Sequence, residues 1–154
     1  MLGLRGHILT HTRGTALMFN LFEGWTPWQG PIGHRPTGAI VADRGGSSTT
    51  YALFHLQPRG VMFIGVGAVL YQGMVIGEHN RENDLWVHAA REKKLTNIRA
   101  AGRDEKQILA TPREMTLERS LEWIRDDEMV EVTPHGIRMR KVDLKGTGKP
   151  GEEL

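Results

Sequence analysis

With 154 residues, 39% of them hydrophobic and 25% charged, the chain can bury one modest core, or one small domain plus a fragment of another. It has no cysteine, which excludes disulfides, thiolate metal sites and a cysteine nucleophile. No apolar run approaches the roughly 18 residues of a membrane span, and the N-terminus lacks the apolar core of a signal peptide, so the expected location is cytoplasmic. The net charge is only +2, so affinity for a polyanion would have to come from where the charges lie rather than from their sum.

Nineteen glycines and seven prolines point to many turns and short strands. Residues 2–12 read as a short helix, with Leu4 and Ile8 one turn apart and Gly14 as its stop. Thr15 to Phe22 reads as a strand with two apolar faces: Leu17, Phe19 and Leu21 on one, Met18 and Phe22 on the other. Gly24 to Pro36 is a Trp-, Gly- and Pro-rich boundary. Gly38 to Ala42 is expected as a strand, Arg44 to Ser47 as a hairpin turn and Thr49 to Leu56 as the return strand. Short apolar stretches follow at Val61–Ile64, Val69–Tyr71 and Met74–Ile76, the last two separated by a turn at Gly73.

Residues 80–106 hold nothing longer than Leu85-Trp86-Val87 that could bury a face. Within them, residues 91–103 carry Arg91, Lys93, Lys94, Arg99 and Arg103 against the single carboxylate of Glu92. Long loops inside compact domains are usually functional or disordered. A basic one with small polar residues between its charges suits a phosphate-rich partner better than a small-molecule pocket. Order is expected to return at Gln107–Thr111. Thr116 then caps a helix from Leu117 to about Arg125, with Leu117, Leu121 and Ile124 as its buried stripe. Met129–Thr133 and Ile137–Arg140 form a hairpin around Pro134-His135-Gly136, and the tail from Lys145 reads as disordered.

Other patterns have plainer explanations. His7 and His11 have i, i+4 spacing, but Ile8 stands where a zincin glutamate would be and no third ligand can be named. Asp43 to Ser48 lacks the Walker pattern and reads as a turn, as does Gly65-Val66-Gly67. None of the three serines lies in G-x-S-x-G. Asp126-Asp127-Glu128 reads as a solvated charged turn whose carboxylates oppose the helix dipole and call for a nearby cation. No catalytic residue and no metal ligand is assigned.

Several runs resemble the C-terminal domain of the TypA/BipA translational GTPases. They are Tyr51-Ala52-Leu53-Phe54, Val69 to Met74, Gly77 to Arg81, Asn83-Asp84-Leu85, Lys93 to Gly102, Thr116-Leu117-Glu118, Leu121 to Ile124 and Asp127 to Pro134. The resemblance implies a parent chain with a GTPase domain, a β-barrel domain, two elongation-factor-G-like domains and this terminal domain. It also implies ribosome binding near the A site and links to large-subunit assembly and to translation under stress. The resemblance places Lys93, Lys94, Thr96, Asn97 and Arg99 against rRNA or A-site tRNA.

The expected fold is therefore α+β. A β-rich C-terminal domain with one main helix would span 27–144, with the basic loop at about 80–106. Residues 1–26 would be a helix-and-strand remnant of a ferredoxin-like domain, and 145–154 a disordered tail. The RNA-binding set is Arg81, Arg91, Lys93, Lys94, Thr96, Asn97, Arg99 and Arg103. The chain contains neither a P-loop nor an N-K-x-D run, so no GTPase activity is expected of it. No cofactor is assigned to it either, GTP and Mg belonging to the parent family. The expected partners are the ribosome and the missing GTPase domains, in the parent or in a separate chain; no membrane partner is expected. The rival reading is a protein–protein module that docks a separately encoded GTPase subunit without touching RNA.

Overall fold

In the computed structural model, residues 8–9, 11–27, 30, 35–93 and 108–145 are described. The main sheet is built on β1 (Ala39–Ala42) and β5 (Met74–His79). The order is β6 (Leu85–Val87), β1, β5, β8 (Gly136–Lys141) and β7 (Glu128–Thr133), with β3 (Gly60–Met62) also paired to β5. All pairings are antiparallel except β1 with β6. Because β1 occupies one edge of β5, β3 and β8 share the other, β3 along Gly77–His79 and β8 along Met74–Val75.

The β1 sequence Ala-Ile-Val-Ala is buried on both faces, so this strand feeds two cores. Ile40 and Ala42 join Met62, Leu70, Met74 and Ile76 beneath helix α1 (Thr50–Leu56). Ala39 and Val41 join Val75 and Met139 beneath helix α2 (Leu117–Trp123). The register slips at Ile76, since Ile40 faces Gly77 while Val41 faces Val75. Along β5 the side chains still alternate, Met74 and Ile76 into the first core and Val75 into the second.

The two short helices therefore lie on opposite faces of the sheet. The α+β, β-rich character matches the sequence reading, but one element is of the opposite type. Thr49–Leu56 is not a return strand. Thr49 Oγ1 accepts the Ala52 amide at 3.1 Å as an N-cap, and Ala52, Leu53 and Leu56 fall on one buried helical face. β2 (Gly46–Ser47) pairs instead with β4 (Val69–Leu70) as a small second sheet. The 65–67 turn is as expected. Ser48 Oγ donates to the Gly65 carbonyl and accepts from the Ala68 amide, and Gly67 has φ +81°.

Helix α2 starts where expected, with Thr116 Oγ1 accepting the Arg119 amide, but its buried face is rotated. Ser120 is fully buried and Trp123 and Ile124 pack on the core, while Leu117 and Leu121 are 42% and 51% exposed. The deciding residue is Trp123. Its ring meets Phe63 edge-on at 5.0 Å, and the Arg35 guanidinium lies 3.4 Å over it. The hairpin of β7 and β8 forms as read.

Near the N-terminus, Ile8, Leu9 and His11 are helical and the turn closes at Gly14 with φ +82°. Thr15 to Phe22 forms no strand: no described strand pairs with it. Leu17, Phe19, Leu21 and Phe22 are 76–95% exposed. The tail from residue 146 lies outside the described residues.

The reading of Asp126-Asp127-Glu128 as a solvated turn holds for Asp126 and Asp127, which form an exposed turn, and is corrected at Glu128. The Glu128 carboxylate is fully buried. It takes a bidentate pair from Arg35 at 2.6 and 2.7 Å, Lys141 Nζ at 2.9 Å and the Arg125 amide at 3.1 Å. Lys141 also reaches Asp127 at 2.7 Å and Asp84 at 2.5 Å. The cations that the helix end required are thus Lys141 and Arg35, one from the hairpin and one from the entering linker. Arg125 completes the grip by donating to the carbonyls of Arg35 and Thr37, both at 2.8 Å. Asp126 also has a partner.

Candidate nucleic-acid interface

The basic segment leaves and re-enters the folded body at the two ends of α1. On the outgoing side, Thr49 donates its amide to the Ala89 carbonyl at 3.2 Å and its hydroxyl to the Arg91 carbonyl. One threonine thus caps α1 and pins the chain. Ala89 is buried in the α1 core, and Ala90 sits so close to Gly46 that a Cβ there would come within 2.6 Å of it.

On the returning side, the C-cap residue Gln57 brackets Leu109. Its Nε2 donates to the Ile108 carbonyl at 3.2 Å, and its Oε1 accepts from the Ala110 amide. Leu109 packs on the α1 core, and the Arg113 amide donates to the Met62 carbonyl at 2.8 Å. A seven-residue helix is about 10 Å long, so the two anchors are separated by roughly that distance.

Among the expected contact residues, Arg91 is half-buried at the outgoing anchor and Lys93 is exposed just beyond it. Arg81 lies apart from these, exposed on the turn after β5. Lys94, Thr96, Asn97, Arg99 and Arg103 lie outside the described residues. The stretch from 80 to 91, expected as loop, is largely anchored. It contributes β6 as the parallel partner of β1 before the pinning at Arg91. The anchors Thr49 and Gln57 were not foreseen. The signal for Thr49 was its N-capping position, obscured by reading the following residues as a strand.

Several acids that would repel a polyanion are committed elsewhere. Glu128 and Asp127 are held by Arg35 and Lys141 on the α2 side. Burial alone would raise the Asp127 carboxyl, but the hydrogen bond and charge of Lys141 outweigh it and hold it below its ordinary value. Burial likewise opposes the Glu78 carboxylate, and hydrogen bonds from Thr37 and Arg113 outweigh it in the same direction. Lys141 is raised: burial lowers it, but Asp127, Asp84 and Glu128 overcome that. The Tyr71 hydroxyl, raised by burial, donates to Glu131 at 2.6 Å, and Arg140 holds the other oxygen at 2.7 Å.

Among the described residues no three His, Asp or Glu side chains converge as a metal site, and no helix is long and apolar enough to cross a membrane. His11 is exposed, and His7 lies outside the described residues.

Residues 37–146 match the family described as the TypA/BipA C-terminal domain. The chain belongs to the TypA/BipA family. It is 46% identical over 145 residues to the large ribosomal subunit assembly factor BipA of Escherichia coli K12, covering 94% of this chain and 24% of that one. The Salmonella typhimurium protein of the same name gives the same figures. That of Buchnera aphidicola from Acyrthosiphon pisum is 45% identical over 146 residues, with the same coverage. The chain thus spans about a quarter of the length of these BipA relatives. The segment with both loop anchors falls inside the family match.

Proposed function

We propose that this chain is the ribosome- and RNA-binding C-terminal part of a TypA/BipA-like translational GTPase, acting in large-subunit assembly and in translation under stress. The basic segment docks on rRNA, or on A-site tRNA, by electrostatic contact of Arg91, Lys93, Lys94, Arg99 and Arg103 with phosphates. Thr96 and Asn97 donate to phosphate or 2′-hydroxyl oxygens, and Arg81 adds a cation from the folded body. The observation that carries this reading is the anchoring of the segment at both ends of α1 by Thr49 and Gln57. The folded body sets where the loop starts and returns, and the charges between set what it meets. GTP and Mg belong to the parent's G domain and are not assigned here. The compartment we assign is the cytoplasm, where ribosomes are.

The test is co-sedimentation with ribosomes across a salt series. Wild-type chain pellets at low salt and is released steeply as salt rises, because each phosphate contact releases counterion. Charge reversal at Lys93, Lys94 and Arg99 together abolishes pelleting. Pelleting unchanged by that triple reversal defeats the reading.

A second reading has one specific observation in its favour. The exposed Leu17, Phe19, Leu21, Phe22 and Trp25 form an apolar segment of the kind that docks a protein partner. In that reading residues 1–26, as a remnant of a ferredoxin-like domain, join the missing GTPase domains in the parent or a separate chain. A salt-insensitive complex with those domains and no ribosome pelleting is its signature.

A further inference from the structure

We propose that Tyr51, Phe54 and His55 on the outer face of α1 form a platform on which an unpaired RNA base stacks, beside the basic segment. The inference rests on the RNA-binding reading above and adds a base subsite to its phosphate contacts.

The platform follows from how α1 packs. Ala52, Leu53 and Leu56 turn inward and are buried, the two leucines within the first core. At about 100° per residue, Phe54, Tyr51 and His55 then follow one another around the helix over an arc of roughly 100°, on the side away from that core. Phe54 is 39% exposed, His55 is exposed and Tyr51 is half-buried.

The three rings are gathered. The His55 ring centroid lies 4.3 Å from that of Tyr51, with the planes tilted by 45°, and 5.7 Å from that of Phe54, with the planes at 79°. His55 Nδ1 donates to the Tyr51 carbonyl at 2.8 Å, since a carbonyl oxygen only accepts. That bond holds the imidazole, and the buried side of α1 holds the helix, so the platform is preformed.

Tyrosine, phenylalanine and histidine are side chains on which splayed-out RNA bases stack. Such stacking is tolerant of sequence, because every base has a π-face. The surroundings favour this occupant. Thr49, two residues before Tyr51, holds the Arg91 carbonyl, and Gln57, two residues after His55, holds Ile108 and Ala110. The rings therefore sit between the two ends of the basic segment, with Lys93 exposed just beyond the first anchor. Helix α1 carries no carboxylate of its own to oppose phosphates. A face about 10 Å long is on the scale of a base or two and falls well short of the roughly 800 Å² that each side of a stable protein interface buries. The ligand is thus a single-stranded stretch of RNA, a loop or an end, rather than duplex.

The test uses the whole chain and a short, mixed-sequence single-stranded RNA carrying 5-iodouridine, with affinity measured by fluorescence anisotropy across a KCl series. F54A/H55A is expected to bind at least about fivefold more weakly, the lower end of what stacking one base contributes. Its slope of log affinity against log salt should stay at the wild-type value, because no phosphate contact is lost. F54Y/H55F, which keeps both rings, should bind like wild type, and unchanged thermal midpoints verify folding. Irradiation of the wild-type complex should cross-link the iodinated base to Tyr51, Phe54 or His55, read by mass spectrometry of the digest. If F54A/H55A keeps wild-type affinity and residues 51–55 take no cross-link while K93A/K94A/R99A loses binding, the platform is overturned and the loop reading stands. An equal loss by F54A/H55A on duplex RNA overturns it as well. If K93A/K94A/R99A keeps the wild-type affinity and salt slope, the RNA reading itself fails.

Discussion

Replacing Glu128 by alanine should be the most damaging single change away from the loop. Its carboxylate is fully buried and accepts four hydrogen bonds, three of them from cations. Glu128→Ala leaves the Arg35 guanidinium and the Lys141 ammonium, with side chains 8% and 5% exposed, in a protein interior without their main counter-charge. Asp127 and Asp84 still reach Lys141, but Arg35 pairs with no second carboxylate among the described residues. Removing one partner of a buried pair costs about 3–5 kcal/mol, against a total stability of about 5–15 kcal/mol for a domain. For a domain of this size that is a fall in midpoint of roughly 10–25 °C. Asp127→Ala is the contrast. Its side chain is 61% exposed, so solvent screens the pair and the loss should stay near or below about 1 kcal/mol. Urea unfolding followed by tryptophan fluorescence measures both, since Trp123 sits under Arg35. Loss of less than 1 kcal/mol in Glu128→Ala would refute the view that this network holds the linker to the domain.

Thr49→Val removes both the α1 cap and the donor to Arg91. It should cost about 1 kcal/mol and speed amide exchange at residues 89–93, which hydrogen-exchange mass spectrometry reads directly. Ser120→Ala should be neutral or slightly stabilising in thermal melts, because the buried Ser120 hydroxyl has no partner among the described residues. Gly60→Ala should fail to fold or lose several kcal/mol, since its Cβ would lie 1.9 Å from the Glu78 carbonyl oxygen; soluble expression and circular dichroism decide. For pH, Asp127 and Glu78 are depressed in the folded state. Their contribution is present above the ordinary carboxylate range near 4 and is lost as pH falls through their lower folded values. Lys141 is raised, so its contribution is full below about 10.4 and lost as pH rises beyond the folded value. The thermal midpoint should be flat between about pH 5 and 9 and fall on both sides.

Strand positions with strong β-branched or apolar runs, such as Ala39–Ala42 and the hairpin of β7 and β8, were legible because local pattern and tertiary role agree. Thr49–Leu56 was not. Its aromatic and alternating letters suit a strand, and only the cap at Thr49 and the 52, 53, 56 spacing betray the helix. The rotation of α2 was hidden because leucines at 117 and 121 outweigh a serine on paper. What buries Ser120 is the attraction of Trp123 to Phe63 and Arg35, one 60 residues away and the other 88. The buried acid network escaped for the same reason: Arg35 and Lys141 meet Glu128 only in the fold. Of the candidate interface, the basic letters of 91–103 were plain in the sequence, whereas their two anchors depended on a helix that the letters disguised.

The most direct measurement places a photoreactive amino acid at Asn97 in the basic segment and, separately, at Leu121 on the exposed face of α2, then irradiates each variant bound to ribosomes. The account predicts cross-links to RNA from position 97 and none from position 121. Cross-links from 97 that are confined to protein, or RNA cross-links only from 121, would contradict it.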